Sequence, residues 1–183
     1  MNQNDLRVKK TKKAISDSFL KLLQAKPLAR ISVTELARDA QINKGTFYLH
    51  YRDVYDLYQY ALRDYLQQIA DEITFMDLFL TDIESFAHKL YELSASKKFF
   101  KNNPFFSTEN APYNMEAMQL FCNILTDKVL NLGRLEASDI NRMKLICIFA
   151  GIGMLLRYDG DKSPKDVSSV IVCSYRGQFG NSV

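Results

Sequence analysis

The sequence has no tryptophan, and its 183 residues include only 7 glycines, 4 prolines, 3 cysteines and 2 histidines. With so little glycine and proline, the chain lacks material for the many tight turns of a β-sandwich or β-barrel. Hydrophobic residues make up 47% and charged residues 25%, an ordinary balance for a globular protein. A helical fold is therefore expected.

The cysteines and histidines are too scattered to form a metal site. Cys122, Cys147 and Cys173 form no CxxC pair, and His50 and His88 are the only histidines. We expect buried, reduced thiols, with no metal and no cofactor. The sequence also lacks the GxSxG, HExxH and phosphate-loop motifs, so we expect no catalytic residues and no enzyme.

No apolar stretch is long enough to cross a membrane. The longest, Leu145 to Leu156, has twelve residues, and the polar start of the chain lacks the apolar segment of a signal peptide. We therefore expect a cytoplasmic protein that makes no membrane contact.

The charges divide unevenly along the chain. Residues 1–53 carry eleven Lys and Arg against five Asp and Glu, a balance of +6, whereas residues 54–183 carry thirteen against sixteen, a balance of −3. A basic N-terminal region suggests binding to a polyanion, although a charged surface is more often simply solvated.

Helical periodicity dominates the N-terminal region. A first amphipathic helix ends at Lys26-Pro27, and Ser32 with Glu35 forms a capping box for a short second helix. Asn43 is a suitable N-cap for a third helix from about Lys44 to Tyr51, and Asp53 caps a long fourth helix.

Further helices are predicted at 82–100, 115–132, 138–158 and 163–178, with a loop over 101–114. The total is eight or nine helices and no sheet. The predicted fold is all-α, with a three-helix helix-turn-helix domain at 1–53 and a helical effector-binding and dimerisation domain at 54–183.

The second and third helices have the spacing of a helix-turn-helix, in which the second helix of the pair enters the major groove of DNA. Phe47 and Tyr51, one turn apart, are expected to pack inward. The residues left facing outward suit contacts with phosphates and base edges: Lys44, Gly45, Thr46, Tyr48 and His50. The alternative is a polar helix face that is only solvated.

This region resembles the TetR family of bacterial transcription regulators over about the first 60 residues. The resemblance rests on Ile31-Ser32-Val33-Thr34-Glu35-Leu36-Ala37, Ala40, Ile42-Asn43-Lys44-Gly45-Thr46-Phe47-Tyr48-Leu49-His50-Tyr51 and Leu57.

The resemblance implies that Lys44 to His50 form the recognition helix, with Tyr48 and Thr34 on the DNA backbone and Gly45 and Thr46 nearest the bases. Lysines of the first helix would add sequence-independent attraction: Lys9, Lys10, Lys12 and Lys13. The implied DNA-binding residues are Thr34, Asn43, Lys44, Gly45, Thr46, Tyr48 and His50. Gln41 stands where the family usually has glycine, so a left-handed backbone is expected there, and Val54 stands in place of the usual lysine.

The resemblance further implies a homodimeric, ligand-responsive repressor that binds a near-palindromic operator in double-stranded DNA. We expect a small apolar or aromatic effector, in a pocket with candidate wall residues Phe86, His88, Leu90, Tyr91, Met115, Met118 and Phe121. The expected dimer interface comprises Ile148, Gly151, Ile152, Leu155, Val170 and Cys173. The alternative is a regulator of the same fold that has no effector and acts through a protein partner.

Overall fold

The computed structural model describes residues 3–97, 103–106, 110–157 and 163–180, and over these ranges it contains nine α-helices and no strand. The helices are α1 Gln3–Ala25, α2 Val33–Asp39, α3 Lys44–Tyr48, α4 Val54–Glu72, α5 Leu78–Thr81, α6 Ile83–Lys97, α7 Ala111–Leu130, α8 Asp139–Arg157 and α9 Pro164–Phe179. Short 3₁₀ turns lie at Leu28–Arg30 and Pro104–Phe106. The all-α class and the number of helices are confirmed.

Helix starts follow local capping residues, as predicted. The Ser32 side chain accepts a hydrogen bond from the Glu35 amide at 3.3 Å, and Asp53 Oδ1 accepts one from the Asp56 amide at 2.8 Å. Such bonds satisfy amide groups that have no partner within the first helical turn. The Glu35 carboxylate, predicted to complete a capping box, instead accepts a hydrogen bond from the Lys26 ammonium group.

Three features differ from the sequence prediction. Helix α3 ends at Tyr48 rather than Tyr51, and α5 was not predicted, because four residues carry too little periodicity. Helix α7 begins at Ala111, inside the predicted loop, with Pro112 in its first turn, where a missing amide hydrogen costs nothing. The predicted ends of two helices, Phe100 and Tyr158, lie outside the described residues.

The chain forms two compact units. The first comprises residues 1–65 and 102–114, and the second comprises 66–101 and 115–183. The sequence placed the boundary between residues 53 and 54, whereas the units divide within α4, between Tyr65 and Leu66. The first part of α4 belongs to the first unit because Tyr60 packs against Tyr51 with ring centroids 5.6 Å apart, and the Lys12 ammonium lies 5.2 Å from the Tyr60 ring centroid.

Each unit has its own apolar core. In the first, fully buried side chains include Ile15 and Phe19 of α1, Leu36 of α2 and Phe47 of α3. In the second, Phe79 lies at the centre of an aromatic cluster, with ring centroids 5.1 to 5.2 Å from its neighbours Phe86, Phe149 and Tyr175. These two cores fix which helix faces remain at the surface.

Candidate nucleic-acid interface

The turn between α2 and α3 is tight. The Ile42 amide donates to the Ala37 carbonyl at 2.9 Å, and Gln41 between the two helices has a φ of 56°. Gln41 is the one non-glycine residue with positive φ in the part of the chain that the structure describes. The expectation that a non-glycine adopts a left-handed backbone here is confirmed.

Helix α3 is held against the rest of the unit by its aromatic side chains. Phe47 is fully buried, Tyr51 is nearly so, and their ring centroids lie 5.7 Å apart. Burial raises the pKa of Tyr51 to about 12, so its hydroxyl remains neutral at ordinary pH. The inward placement of both residues is confirmed, and it determines which face of α3 points to solvent.

The outward face carries most of the predicted DNA-binding residues. Thr34 at the start of α2 is exposed, as are Asn43, Lys44, Gly45 and Tyr48 on or beside α3. Thr46 and His50 are partly buried, so they expose less of their side chains to solvent. A Cβ atom built on Gly45 would meet only Asn43 Oδ1, at 3.4 Å, so the backbone at this position is open to close approach.

Asn43 and Thr46 are bonded to each other. Oδ1 of Asn43 accepts hydrogen bonds from the Thr46 amide at 2.8 Å and from the Thr46 hydroxyl at 2.9 Å. The hydroxyl hydrogen of Thr46 and the side-chain oxygen of Asn43 are therefore both engaged in hydrogen bonds at the start of α3. The Nδ2 group of Asn43 has no hydrogen-bond partner among the described residues and keeps its two donors.

Several cations of the first unit are already paired. Lys21 Nζ lies 2.7 Å from Asp39 Oδ1, and this hydrogen bond holds the pKa of Asp39 below its ordinary value. Lys26 pairs with Glu35, and Arg52 lies 3.5 Å from Asp56. Nine lysines and arginines have no ion pair in the described part of this unit: Arg7, Lys9, Lys10, Lys12, Lys13, Arg30, Arg38, Lys44 and Arg63. These residues supply the excess positive charge that is free to meet an anion.

The sequence predicted no function for two exposed residues near α3. Leu49, directly after α3, is 81% exposed, and the Arg52 side chain is 88% exposed and only loosely paired with Asp56. The exposure of Arg52 could have been anticipated from its place in a polar turn. Leu49 could not, because apolar residues in a short helix are ordinarily expected to face the core.

The second unit contains a small apolar cavity of about 30 Å³. Of the predicted wall residues, Phe86, Leu90 and Phe121 line it. His88 and Met115 are exposed, and Tyr91 and Met118 are partly buried, so these four candidates do not line this cavity. Helical spacing alone could not distinguish neighbouring faces of α6 and α7. The remaining lining residues are Ile69, Ile73, Met76, Ser94, Leu125, Phe149, Ile152, Gly153 and Leu156.

The cavity has almost no polar lining. Ser94 is its one polar side chain, and its hydroxyl donates to the Tyr91 carbonyl at 2.8 Å. A Cβ atom at Gly153, which also lines the cavity, would come within 2.9 Å of Met118 Sδ, so the flexible end of the Met118 side chain would have to shift. A volume of 30 Å³ is about that of one water molecule, far below the several hundred Å³ of a typical ligand site.

The residues predicted for the dimer interface fall into two groups. Ile148 and Ile152 are buried in the core of the second unit, so they are unavailable to a partner and their assignment is wrong. Gly151, Val170 and Cys173 are exposed, and Leu155 is partly exposed.

The three cysteines differ in burial. Burial of Cys122 raises the pKa of its thiol to about 11, but Cys147 and Cys173 are exposed, contrary to the expectation of three buried thiols.

Among the described residues there is no cluster of three or more His, Cys, Asp or Glu side chains that could hold a metal ion. The described helices include none that is both long and apolar enough to span a membrane.

The architecture is thus that of an all-α protein with an N-terminal helix-turn-helix followed by a helical body. No family model matches the chain, and no curated protein does. A solved structure that is similar to it is the fatty acid degradation regulator FadR from Bacillus halodurans, at 16% identity and a TM-score of 0.46, covering 93% of this chain and 95% of that one. A similarity of this size does not carry function from one protein to the other.

Proposed function

We propose that the protein is a DNA-binding transcription regulator whose helix α3 enters the major groove. The observation that carries this proposal is the orientation of α3: burial of Phe47 and Tyr51 turns Lys44, Gly45 and Tyr48 outward. The same unit carries several lysines and arginines without an ion pair among the described residues, and these favour the binding of a polyanion. A merely solvated helix face has no need of a half-exposed tyrosine beside a lysine and an open glycine.

Each exposed group has a contact that its chemistry suits. Lys44 and the hydroxyls of Tyr48 and Thr34 bind phosphate oxygens, and Gly45 lets the α3 backbone come close to the DNA. The free donors of Asn43 Nδ2 suit a phosphate or a base-edge acceptor, and His50 lies at the edge of this surface. Thr46 contributes mainly by holding Asn43, given their two hydrogen bonds.

A titration of labelled duplex DNA tests this assignment. The upstream region of the protein's own gene and a random duplex of equal length are compared, with binding measured by fluorescence anisotropy at several salt concentrations. Specific binding should weaken steeply with salt, because counterions are released for each neutralised phosphate. Tyr48→Ala should weaken binding at least several-fold without lowering the melting temperature, since the side chain is 57% exposed.

Met115→Ala is the matched control, because it also removes a large exposed side chain, but in the second unit. It should bind DNA as the parent does. Binding that ignores salt, or equal affinities for Tyr48→Ala and the parent, would contradict the proposal.

The proposed regulator acts as a homodimer that places two α3 helices on two half-sites of a near-palindromic operator. An exposed apolar stripe on α8 supports this proposal: Ile140, Met143, Cys147, Gly151 and Met154 follow one another at intervals of three or four residues. Residues so spaced share one helix face. Val170 and Cys173 of α9 are exposed and complete the proposed interface.

An apolar or aromatic effector is proposed to relieve repression by binding in the cavity of the second unit. Its lining favours a ligand without charge, and its present volume means that binding must open it. The effector thus favours a different conformation of the body from the one that binds operator. Thermal-shift screening of apolar compounds and sugar phosphates, followed by operator-release assays, tests this: stabilisation by phosphorylated compounds alone would contradict it.

The small cavity also favours a second candidate, a regulator without an effector that acts through a protein partner. In that case no compound in the screen stabilises the protein or releases it from operator. Repression would still require the DNA-binding surface. The cytoplasmic location remains a prediction from the sequence.

A further inference from the structure

Leu49 is the most exposed large apolar side chain in the described part of the chain, at 81%. Isolated exposed apolar residues are common on protein surfaces and need no explanation by themselves. Leu49 differs because of where it lies: it follows α3 directly, next to Tyr48, on the surface that we assign to DNA.

The backbone fixes Leu49 in helical register with α3. Its φ and ψ are −70° and −19°, and its amide donates to the Gly45 carbonyl at 3.1 Å. Residues four apart on a helix lie one above the other, so Leu49 and Gly45 share one face. Gly45 has no side chain, and a neighbouring surface can therefore reach Leu49 without obstruction.

The other side chains of this face do not supply an apolar contact. Lys44 and Tyr48 end in polar groups suited to phosphates, and Thr46 is half-buried with its hydroxyl bonded to Asn43. Leu49 therefore brings the one large aliphatic group to the surface that α3 presents. In the major groove, the apolar feature of a base pair is the C5-methyl group of thymine.

We infer that Leu49 is a specificity-determining residue that packs against a thymine methyl group in each half-site of the operator. The inference rests on the proposed DNA-binding function and adds to it the identity of one contacted base. DNA is the favoured occupant because Lys44 of the same helix is exposed and has no ion pair among the described residues, so its charge is available to a phosphate.

The test begins with duplexes selected from a randomised pool by the parent protein. Each thymine of the selected half-site is replaced in turn by deoxyuridine, which removes the methyl group and leaves the base pair intact. At one position in each half-site, the replacement should lower the affinity of the parent protein about fourfold per half-site. This is the free energy expected for one buried methyl group, expressed as a change in affinity. In Leu49→Ala the same replacement should have no effect.

Leu49→Ala should itself weaken binding to the selected operator while leaving binding to random duplex, and its salt dependence, unchanged. Leu49→Met, which keeps an aliphatic side chain of similar volume, should restore most of the loss. Lys44→Ala is the contrasting variant, since losing a phosphate contact should weaken binding to every duplex and lower the salt slope by about 0.9. Thermal melting should not distinguish Leu49→Ala from the parent.

Three outcomes overturn the inference. If replacement of thymine by deoxyuridine lowers the affinity of the parent and of Leu49→Ala equally, Leu49 does not contact a thymine methyl group. Equal weakening of specific and random binding in Leu49→Ala makes Leu49 a general contact, and unchanged operator binding means that Leu49 takes no part in recognition. If the parent selects no sequence and binds no duplex, the proposed function fails together with this inference, whereas sequence-specific binding without a Leu49 effect overturns the inference alone.

Discussion

The amide of Leu28 donates a 3.0 Å hydrogen bond to Oδ1 of Asn110, a residue 82 positions later in the chain. Asn110 is almost completely buried, and its Nδ2 group donates to the Pro104 carbonyl at 2.9 Å. One amide side chain thus ties the segment around Pro104–Phe106 to the turn that follows α1. Phe105 strengthens the attachment, with ring centroids 5.6 Å from Tyr58 and 5.4 Å from Tyr65.

Asn110→Ala should lower the free energy of unfolding by about 1–3 kcal/mol, because it leaves a buried backbone amide without an acceptor. Hydrogen exchange at the Leu28 amide should accelerate in this variant. Asn141→Ala is the control: it removes an exposed side-chain bond to the Glu136 carbonyl and should change stability by less than about 1 kcal/mol. Unchanged exchange at Leu28 would contradict the assigned role of Asn110.

Gln41→Gly should raise the free energy of unfolding by about 1 kcal/mol. A side chain at a positive φ of 56° costs about 1–2 kcal/mol, which glycine avoids, although glycine also loses more backbone entropy on folding. Gln41 is exposed, so little packing is lost. Gln41→Ala, which keeps the Cβ atom and therefore the strain, should show no gain in chemical denaturation; equal gains in both variants would exclude backbone strain as the cause.

Val54→Lys should tighten operator binding without changing the preferred sequence. Val54 is the first residue of α4, and a lysine there would add one phosphate contact, steepening the log–log salt slope by about 0.9. Because the added lysine would lie at the positive end of the α4 helix dipole, the substitution should lower the free energy of unfolding by about 0.3–1 kcal/mol. Gln67→Lys, which adds the same charge further along α4, should leave the slope unchanged; equal slopes for the two variants would place residue 54 away from the DNA backbone.

Gly151→Arg should separate the proposed dimer into folded monomers. No atom lies within 4 Å of the Cβ position at Gly151, so the arginine fits within one chain, whereas in the proposed interface it would bury an unpaired charge. Sedimentation should show dimerisation weakened at least about a hundredfold, with unchanged helical content. Gln119→Arg, on an exposed position of α7, should remain dimeric. A dimeric Gly151→Arg would mean that the interface lies elsewhere.

Local sequence determined most of the secondary structure and which residues around α3 share a face. Ser32, Asn43 and Asp53 each bond a backbone amide three residues away, so their roles require no knowledge of the rest of the chain. The same holds for the shared face of Phe47 and Tyr51, because the Tyr51 amide, just beyond the end of α3, still donates to the Phe47 carbonyl four residues back. The left-handed backbone of Gln41 was also expected, because Gln41 stands where the family that the sequence resembles usually has glycine.

Tertiary structure decided what depends on residues distant in the chain. Asn110 joins the first unit through Leu28, and Ile148 and Ile152 enter the core of the second unit rather than its surface. Leu49 stays outside because Phe47 and Tyr51, on either side of it, are the residues that the first unit buries. Periodicity states which residues share a helix face, but only the packing of one helix against another selects the face that is buried.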